Sequence, residues 1–268
     1  MTTFGHVSVN LFTSFSVSLT ICPLLASDRL GQPTGHFWPE DSTCLAWLDQ
    51  QPVHSVTYVA FGSTTIFTEC QFNEIAHGLE LVDQPYLWVW PDLTRELITS
   101  FPDGFRDGVT HLGKLVAWAP QQKGLAHRSI ACFLTHCGWN LTIEGLSLGV
   151  PLLCWPYSAD QFHNQNFICD TLNVGLRLHK DKNGIITRDE IKVKVQKIYS
   201  DEQIRSRANK VKDMAKRHHG LASPNQPRSL VAKTRPFASV FLPPSAPKAS
   251  LVKMTIWATK NRCFRTSG

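Results

Sequence analysis

The sequence predicts an α/β fold: a Rossmann-like parallel sheet with helices on both faces. Three observations predict it. Short apolar runs rich in β-branched and aromatic residues alternate with segments of helical spacing. The first run, VTYVAF, ends on Gly62-Ser63, a turn at a strand's carboxyl end. The stretch Trp118 to Gln161 then supplies a strand end followed by a helix start twice in succession, where open α/β sheets hold their ligands.

Taken in order, Asp41-Ser42-Thr43 caps a short helix through Leu48, because such side chains accept from free helical amides. Val56 to Phe61 is the first strand. Thr68 to Leu81 is helical, with Phe72, Ile75, Ala76 and Leu79 on one face. Tyr86 to Trp90 is a second strand, and the polar segment Pro91 to Thr110 a loop with at most a short helix. Lys114 to Trp118 is a third strand, Gln122 to Ala126 a short helix and Ile130 to Thr135 a fourth strand. Asn140 to Leu148 is helical, stopped at Gly149. Leu152 to Trp155 is a fifth strand, Asp160 to Asp170 a helix and Gly175 to Leu178 a short sixth strand. Ile191 to Tyr199 and Ile204 to Lys216 are amphipathic helices.

Composition divides the chain further. Residues 1–20 are apolar but thick with Ser and Thr. They lack the basic start of a signal peptide and the continuous apolarity of a membrane span. They are expected to be a poorly structured start, followed by a linker and short helix over 21–55, broken by Gly31, Pro33, Gly35 and Pro39. The ligand-binding domain is expected over 56–219, and a basic Pro/Ser-rich tail, expected disordered, over 220–268.

The net charge of +6 sits in that tail, which holds eight Lys or Arg and no Asp or Glu. The rest is near neutral, so global charge makes no case for nucleic acid. The eight cysteines form no C-x-x-C pair and most lie in apolar runs. That suits reduced thiols in a cytoplasmic protein better than a disulfide framework. Cys132, His136 and Cys137 are close in sequence, but no second ligand pair has zinc spacing, so no metal is expected.

The stretch WAPQQKGLAHRSIACFLTHCGWNLTIEGLSLGVPLLCWPYSADQ carries the chemistry. Trp118, held by Pro120, offers a flat face to a base. Glu144 can accept from two vicinal hydroxyls at once, and Gln121 can assist. The helix start at Trp139-Asn140 offers free amides and a positive dipole end to an anion. His136 and the Asn140 amide add donors, and Gly138 permits close backbone approach. Asp160 and Gln161 can bind sugar hydroxyls. Singly, each has an ordinary structural explanation: a core Trp, a strand-end His, a solvated Glu, a capping Asp, a turn Ser. Their joint order and spacing point to a nucleotide-sugar site.

That order resembles the donor-binding motif of plant secondary-product UDP-glycosyltransferases: W-x-P-Q, then H-C-G-W-N-S-x-x-E, then G-V-P and D-Q. Trp118 to Gln161 spans the motif's usual 44 residues. The resemblance extends over roughly residues 21–219, through FWPEDSTCLAWLDQQP, YVAFGS and GIITRDEI. It implies the C-terminal half of a GT-B fold, an inverting transfer to small-molecule acceptors, and no metal or cofactor. It assigns uracil to Trp118 and the Ala119 backbone, and ribose to Gln121 and Glu144. The diphosphate falls to His136, Asn140, the Trp139 backbone and Ser63, and the sugar to Asp160 and Gln161. The terminal Gln implies UDP-glucose as donor.

Three departures qualify the expectation. Leu141 stands where the family has Ser. The acceptor domain, with its catalytic His paired to Asp, has no counterpart here, and His6 lies in no matching context. The family's last helix is replaced by the basic tail. The chain is therefore expected to be truncated, to bind donor, and to transfer little alone. An acceptor would be engaged only with an N-terminal domain from another chain, with no nucleic acid and no membrane as partners. The alternative is a non-catalytic UDP-sugar-binding or interaction protein acting through its tail.

Overall fold

The computed structural model describes residues 40–62, 65–90 and 112–221. The expectations for the start, most of the linker, Ser63, the Pro91–Thr110 loop and the tail lie outside these residues.

The described chain runs α1 (Thr43–Asp49), β1 (Val56–Ala60), α2 (Glu69–Val82), β2 (Tyr86–Val89), β3 (Gly113–Val116), α3 (Gln121–Leu125) and β4 (Ile130–Thr135). It continues with α4 (Trp139–Leu148), β5 (Leu152–Cys154), α5 (Gln161–Asn166), a π-helical turn (Phe167–Thr171), β6 (Gly175–Arg177), α6 (Arg188–Ser200) and α7 (Glu202–Leu221). The six strands pair in parallel in the order β3-β2-β1-β4-β5-β6. All carboxyl ends therefore share one edge, and the connection direction reverses between β1 and β4, which marks the switch point of the sheet.

Both faces are covered, and strand alternation decides which side chain meets which helix. Val59 and Phe61 of the first strand segment, Cys132 and Leu134 of β4 and Leu153 of β5 pack against Phe72, Ile75 and Leu79 of α2 and Ile191, Val195 and Ile198 of α6. The intervening residues face the other way. Tyr58 lies against Gly124 of α3, and Phe133 and Leu152 lie against Gly145 of α4. Tyr58 and Phe133 meet edge to face at 5.4 Å. A ring cluster of Phe61, Phe67, Trp90 and Trp155 closes the carboxyl edge on the α2 side.

Polar clamps fix α2 to the start of α6. The buried Gln71 side chain donates to the Ile186 carbonyl at 2.8 Å and accepts its amide at 2.9 Å. Arg188 donates through its backbone and guanidinium to Glu74. Helix ends follow the sequence signals. Thr68 and Thr187 accept from the amides three residues on, and Gly149 ends α4 at φ +74°.

Within the expected cap Asp41-Ser42-Thr43, the Asp41 carboxylate accepts from the Thr43 amide and hydroxyl, and Ser42 makes no side-chain capping bond. Two local expectations are corrected. The third strand stops at Val116 rather than Trp118, because the chain leaves the sheet there and the Trp118 carbonyl accepts from the Asp41 amide at 2.8 Å instead. The helix expected over Asp160–Asp170 is α-helical only to Asn166 and then widens into the π turn, where Leu172 donates back to the Phe167 carbonyl.

Candidate functional site

The parallel sheet delivers Gly62 after β1, Trp118 after β3, His136 to Gly138 after β4 and Asp160-Gln161 after β5 to one edge. Of the residues expected at the site, Trp118, Ala119, Gln121, His136, Gly138, Trp139, Asn140, Glu144, Asp160 and Gln161 are all carried by loops or helix starts of that edge; Ser63 lies outside the described residues.

His136 occupies the switch point. A methyl group on Gly62 would approach its Cε1 within 3.0 Å, and one on Gly138 would come within 2.5 Å of its Nε2. The imidazole is thus held against two glycines, and this close approach, rather than a positive φ, is what Gly138 provides. The left-handed residue of the turn is Cys137, at φ +63°, a conformation that costs an L-residue about 1–2 kcal/mol. His136 is 8% exposed. Burial drives its pKa down to about 4, so the ring is neutral at physiological pH. Its Nδ1 has no hydrogen-bond partner among the described residues.

Beside it, α4 begins at Trp139 with no side chain capping its first turn. Asn140 is exposed and Trp139 half-buried. One turn on, Glu144 meets the start of α3, accepting from Gln121 Nε2 and, at 3.2 Å, from Gln122 Nε2. Burial raises the Glu144 pKa, and the two amide donors act against that rise. Two residues assigned to the same hydroxyls are therefore already joined. Gln122 is an addition that the motif did not mark.

The β5 side is tied to the β4 turn by a residue sequence reasoning missed. Asn164, 2% exposed, donates from Nδ2 to the Cys137 carbonyl and to Asp160 Oδ2, each at 2.8 Å. The signal was present: Asp160 and Asn164 are four apart on a helix, where side chains meet. Asp160 makes no capping bond of its own. The Gln161 Oε1 accepts from the amides of Tyr157 at 2.7 Å and Ser158 at 2.9 Å, which folds the loop after β5 onto α5. A shallow hollow lined by Lys197, Ser200 and Asp201 lies at the opposite edge, where Tyr199 donates to the carbonyl of Ser55 just before β1.

Comparison with known proteins gives one consistent answer. Solved structures with this fold include Phytolacca americana UGT2 complexed with UDP-2fluoro-glucose and pterostilbene: 36% identity, TM-score 0.65, covering 79% of this chain and 47% of that one. Os79 from O. sativa in complex with UDP aligns with TM-score 0.68 at 28% identity, covering 81% of this chain and 48% of its own. The sheet is thus that of the Rossmann-like half of plant GT-B glycosyltransferases. UDP-glycosyltransferase 83A1 of Arabidopsis thaliana is 45% identical over 181 residues, 67% of this chain and 37% of its own length. UDP-glycosyltransferase 73E1 of Stevia rebaudiana is 39% identical over 191 residues, 66% of this chain and 39% of its own. The chain spans less than half the length of these relatives. The model for UDP-glucoronosyl and UDP-glucosyl transferases matches residues 33–217, and the chain belongs to that family.

Proposed function

We propose that the carboxyl edge of the sheet binds a UDP-sugar donor, UDP-glucose, and holds its UDP as the leaving group of a glycosyl transfer. The observation that carries this reading is His136: buried, neutral, and fixed against Gly62 and Gly138 at the switch point. A neutral imidazole donates to a phosphate oxygen without the desolvation cost of a buried cation. The open start of α4 adds backbone donors at Trp139 and Asn140, and Ser63 a hydroxyl. Trp118 and the Ala119 backbone take the uracil, Gln121 and Glu144 the ribose, and Asp160 with Gln161 the glucose. The UDP-2fluoro-glucose and UDP held by the Phytolacca and O. sativa relatives support this donor.

In the reaction, an acceptor hydroxyl oxygen attacks the anomeric carbon as the bond to the β-phosphate oxygen breaks, with inversion. Donors placed at the diphosphate stabilise the developing charge where it appears. No metal or cofactor enters this scheme. A general base for the acceptor contributes about 10²–10⁴-fold. We assign that base to an acceptor-binding region outside the described residues, and transfer to a small alcohol acceptor requires such a region, whether it belongs to a longer form of this chain or to a partner. The free cysteines among the described residues support assigning the protein to a reducing compartment, the cytoplasm. No helix of the described residues is long and apolar enough to cross a membrane.

Calorimetry with UDP and UDP-glucose tests the donor site. The unmodified chain should bind both, and Glu144→Ala should weaken both about tenfold or more, the loss expected for hydrogen bonds to a charged group. Absence of binding by the unmodified chain sinks the proposal.

A further inference from the structure

Three cysteine thiols of the described chain lie together beneath the carboxyl edge, and none of the roles assigned above uses a thiol. Cys154 closes β5 and is 0% exposed. Cys169 lies in the π-helical turn, half-buried, with its sulfur 3.8 Å from that of Cys154. Cys137, also buried, approaches Cys154 from the β4 turn. No group of three His, Cys, Asp or Glu among the described residues is arranged to hold a metal ion, so the cluster is not a metal site by geometry.

The two close thiols are unequal. Cys154 is enclosed, and burial pushes its pKa well up, so it keeps its proton. Cys169 is lowered, first by the neighbouring Cys154 S–H and then by the Arg177 guanidinium, which Asp170 and Asn166 hold beside it. A partly accessible thiol that ionises next to one that stays protonated is the pairing that redox-active dithiols use. The π turn adds a second favourable feature. Its wide backbone ring is a local departure from α-helix that can absorb the shift needed to bring 3.8 Å to bonding distance.

We propose that Cys169 and Cys154 form a peroxide-sensitive dithiol. The Cys169 thiolate attacks the terminal oxygen of a hydroperoxide; the O–O bond breaks, the sulfur is oxidised to sulfenic acid, and the other oxygen leaves as hydroxide or alkoxide, which takes a proton from solvent water. The Cys154 sulfur then attacks the sulfenic sulfur. Its proton and the sulfenic hydroxyl leave as water, and a disulfide remains. The bond closes a loop that carries Asp160, Gln161 and Asn164. It draws the π turn towards β5 and acts on α5 through its continuous backbone. The thiol chemistry stands whether or not the donor assignment does.

The sequence dictates how the bond must be mapped. No Lys or Arg lies between Arg128 and Arg177, so trypsin leaves Cys132, Cys137, Cys154 and Cys169 in one peptide. Chymotrypsin cuts between the pair at Tyr157 and Phe162. The full chain is treated with hydrogen peroxide or buffer, alkylated, digested and analysed by mass spectrometry. The expected result is a Cys154–Cys169 cross-linked peptide that a thiol reductant reverses. Cys154→Ser should instead trap sulfenic acid at Cys169 with dimedone. Free alkylation of Cys169 after peroxide, or a bond of Cys154 to Cys137, overturns the proposal. The wild-type map is sufficient for this decision if a serine variant fails to fold. A separate titration of oxidised and reduced chain with UDP-glucose reads the effect on the edge above: weaker binding by the oxidised form supports coupling, and equal binding confines the switch to the thiols.

Discussion

The Asn164 side-chain amide donates to the Cys137 main-chain carbonyl across 2.8 Å, joining the turn after β4 to the helix after β5. Both residues are buried, and Cys137 is the left-handed residue of that turn. Removing the amide leaves a buried carbonyl without its partner and frees the Asp160 carboxylate. Asn164→Ala should cost about 1–3 kcal/mol in urea unfolding. Asn164→Asp should cost more, since it sets oxygen against oxygen. A loss below about 0.5 kcal/mol for Asn164→Ala would show that the bond does not hold the turn.

Gly62 tests the switch point from the other side. Its φ is +71°, and a methyl group there would lie 3.0 Å from His136 Cε1. Gly62→Ala therefore meets both backbone strain and a ring in its way. We expect destabilisation of at least about 1 kcal/mol and weaker UDP binding. Thermal unfolding and calorimetry measure the two effects. An alanine variant as stable and as tight as the parent would mean that the imidazole moves freely.

The protonation of His136 fixes a pH window. The unfolded chain takes up this proton near pH 6.5, and the fold resists it until about 4. Between those values the unfolded state binds more protons, so stability falls as pH falls, by on the order of 3 kcal/mol across the window. Above about 6.5 both states are neutral and the contribution is flat. Denaturant titrations at stepped pH should show His136→Asn losing close to one proton of slope relative to the parent. Parallel slopes would place the histidine in solvent.

Glu144 acts in the opposite sense. Burial raises its pKa, while Gln121 and Gln122 hold it down. If its carboxylate accepts the ribose hydroxyls, UDP-glucose affinity should decline as pH drops through that raised value. In Gln121→Ala one donor is gone, so the decline should begin at higher pH. Calorimetric affinities over a stepped pH series give both midpoints. A Gln121→Ala midpoint at or below the parent's would contradict the assignment.

Leu141 stands half-buried in the first turn of α4, where the family motif has Ser. Leu141→Ser should tighten UDP binding about two- to tenfold, the worth of one added hydrogen bond. An unchanged affinity would indicate that the backbone amide alone supplies that contact.

Most of the fold was legible because each strand is a short apolar run and each helix carries its own start or stop signal. Thr68, Thr187 and Gly149 behave as their residue types predict. What was not legible depends on tertiary contact. The end of β3 is set by Asp41, more than 70 residues away in sequence. The π turn carries no local composition signal. The spacing of Asp160 and Asn164 is readable, but the bond from Asn164 to Cys137 is not, because its acceptor is a carbonyl in another loop. The family resemblance named the motif residues, but only coordinates show His136 held against two glycines or Gln122 joined to Glu144.

The strand order also works as a ruler. From β3, which leads to Trp118, to β5, which leads to Gln161, the sheet takes four lateral steps. At about 4.8 Å a step, the two ends of the edge stand roughly 19 Å apart. A compact molecule can reach one end or the other but cannot bridge them. On the proposed donor assignment, length as well as chemistry is thereby selected, and a nucleoside or a sugar phosphate offered alone would satisfy only its own part of the span.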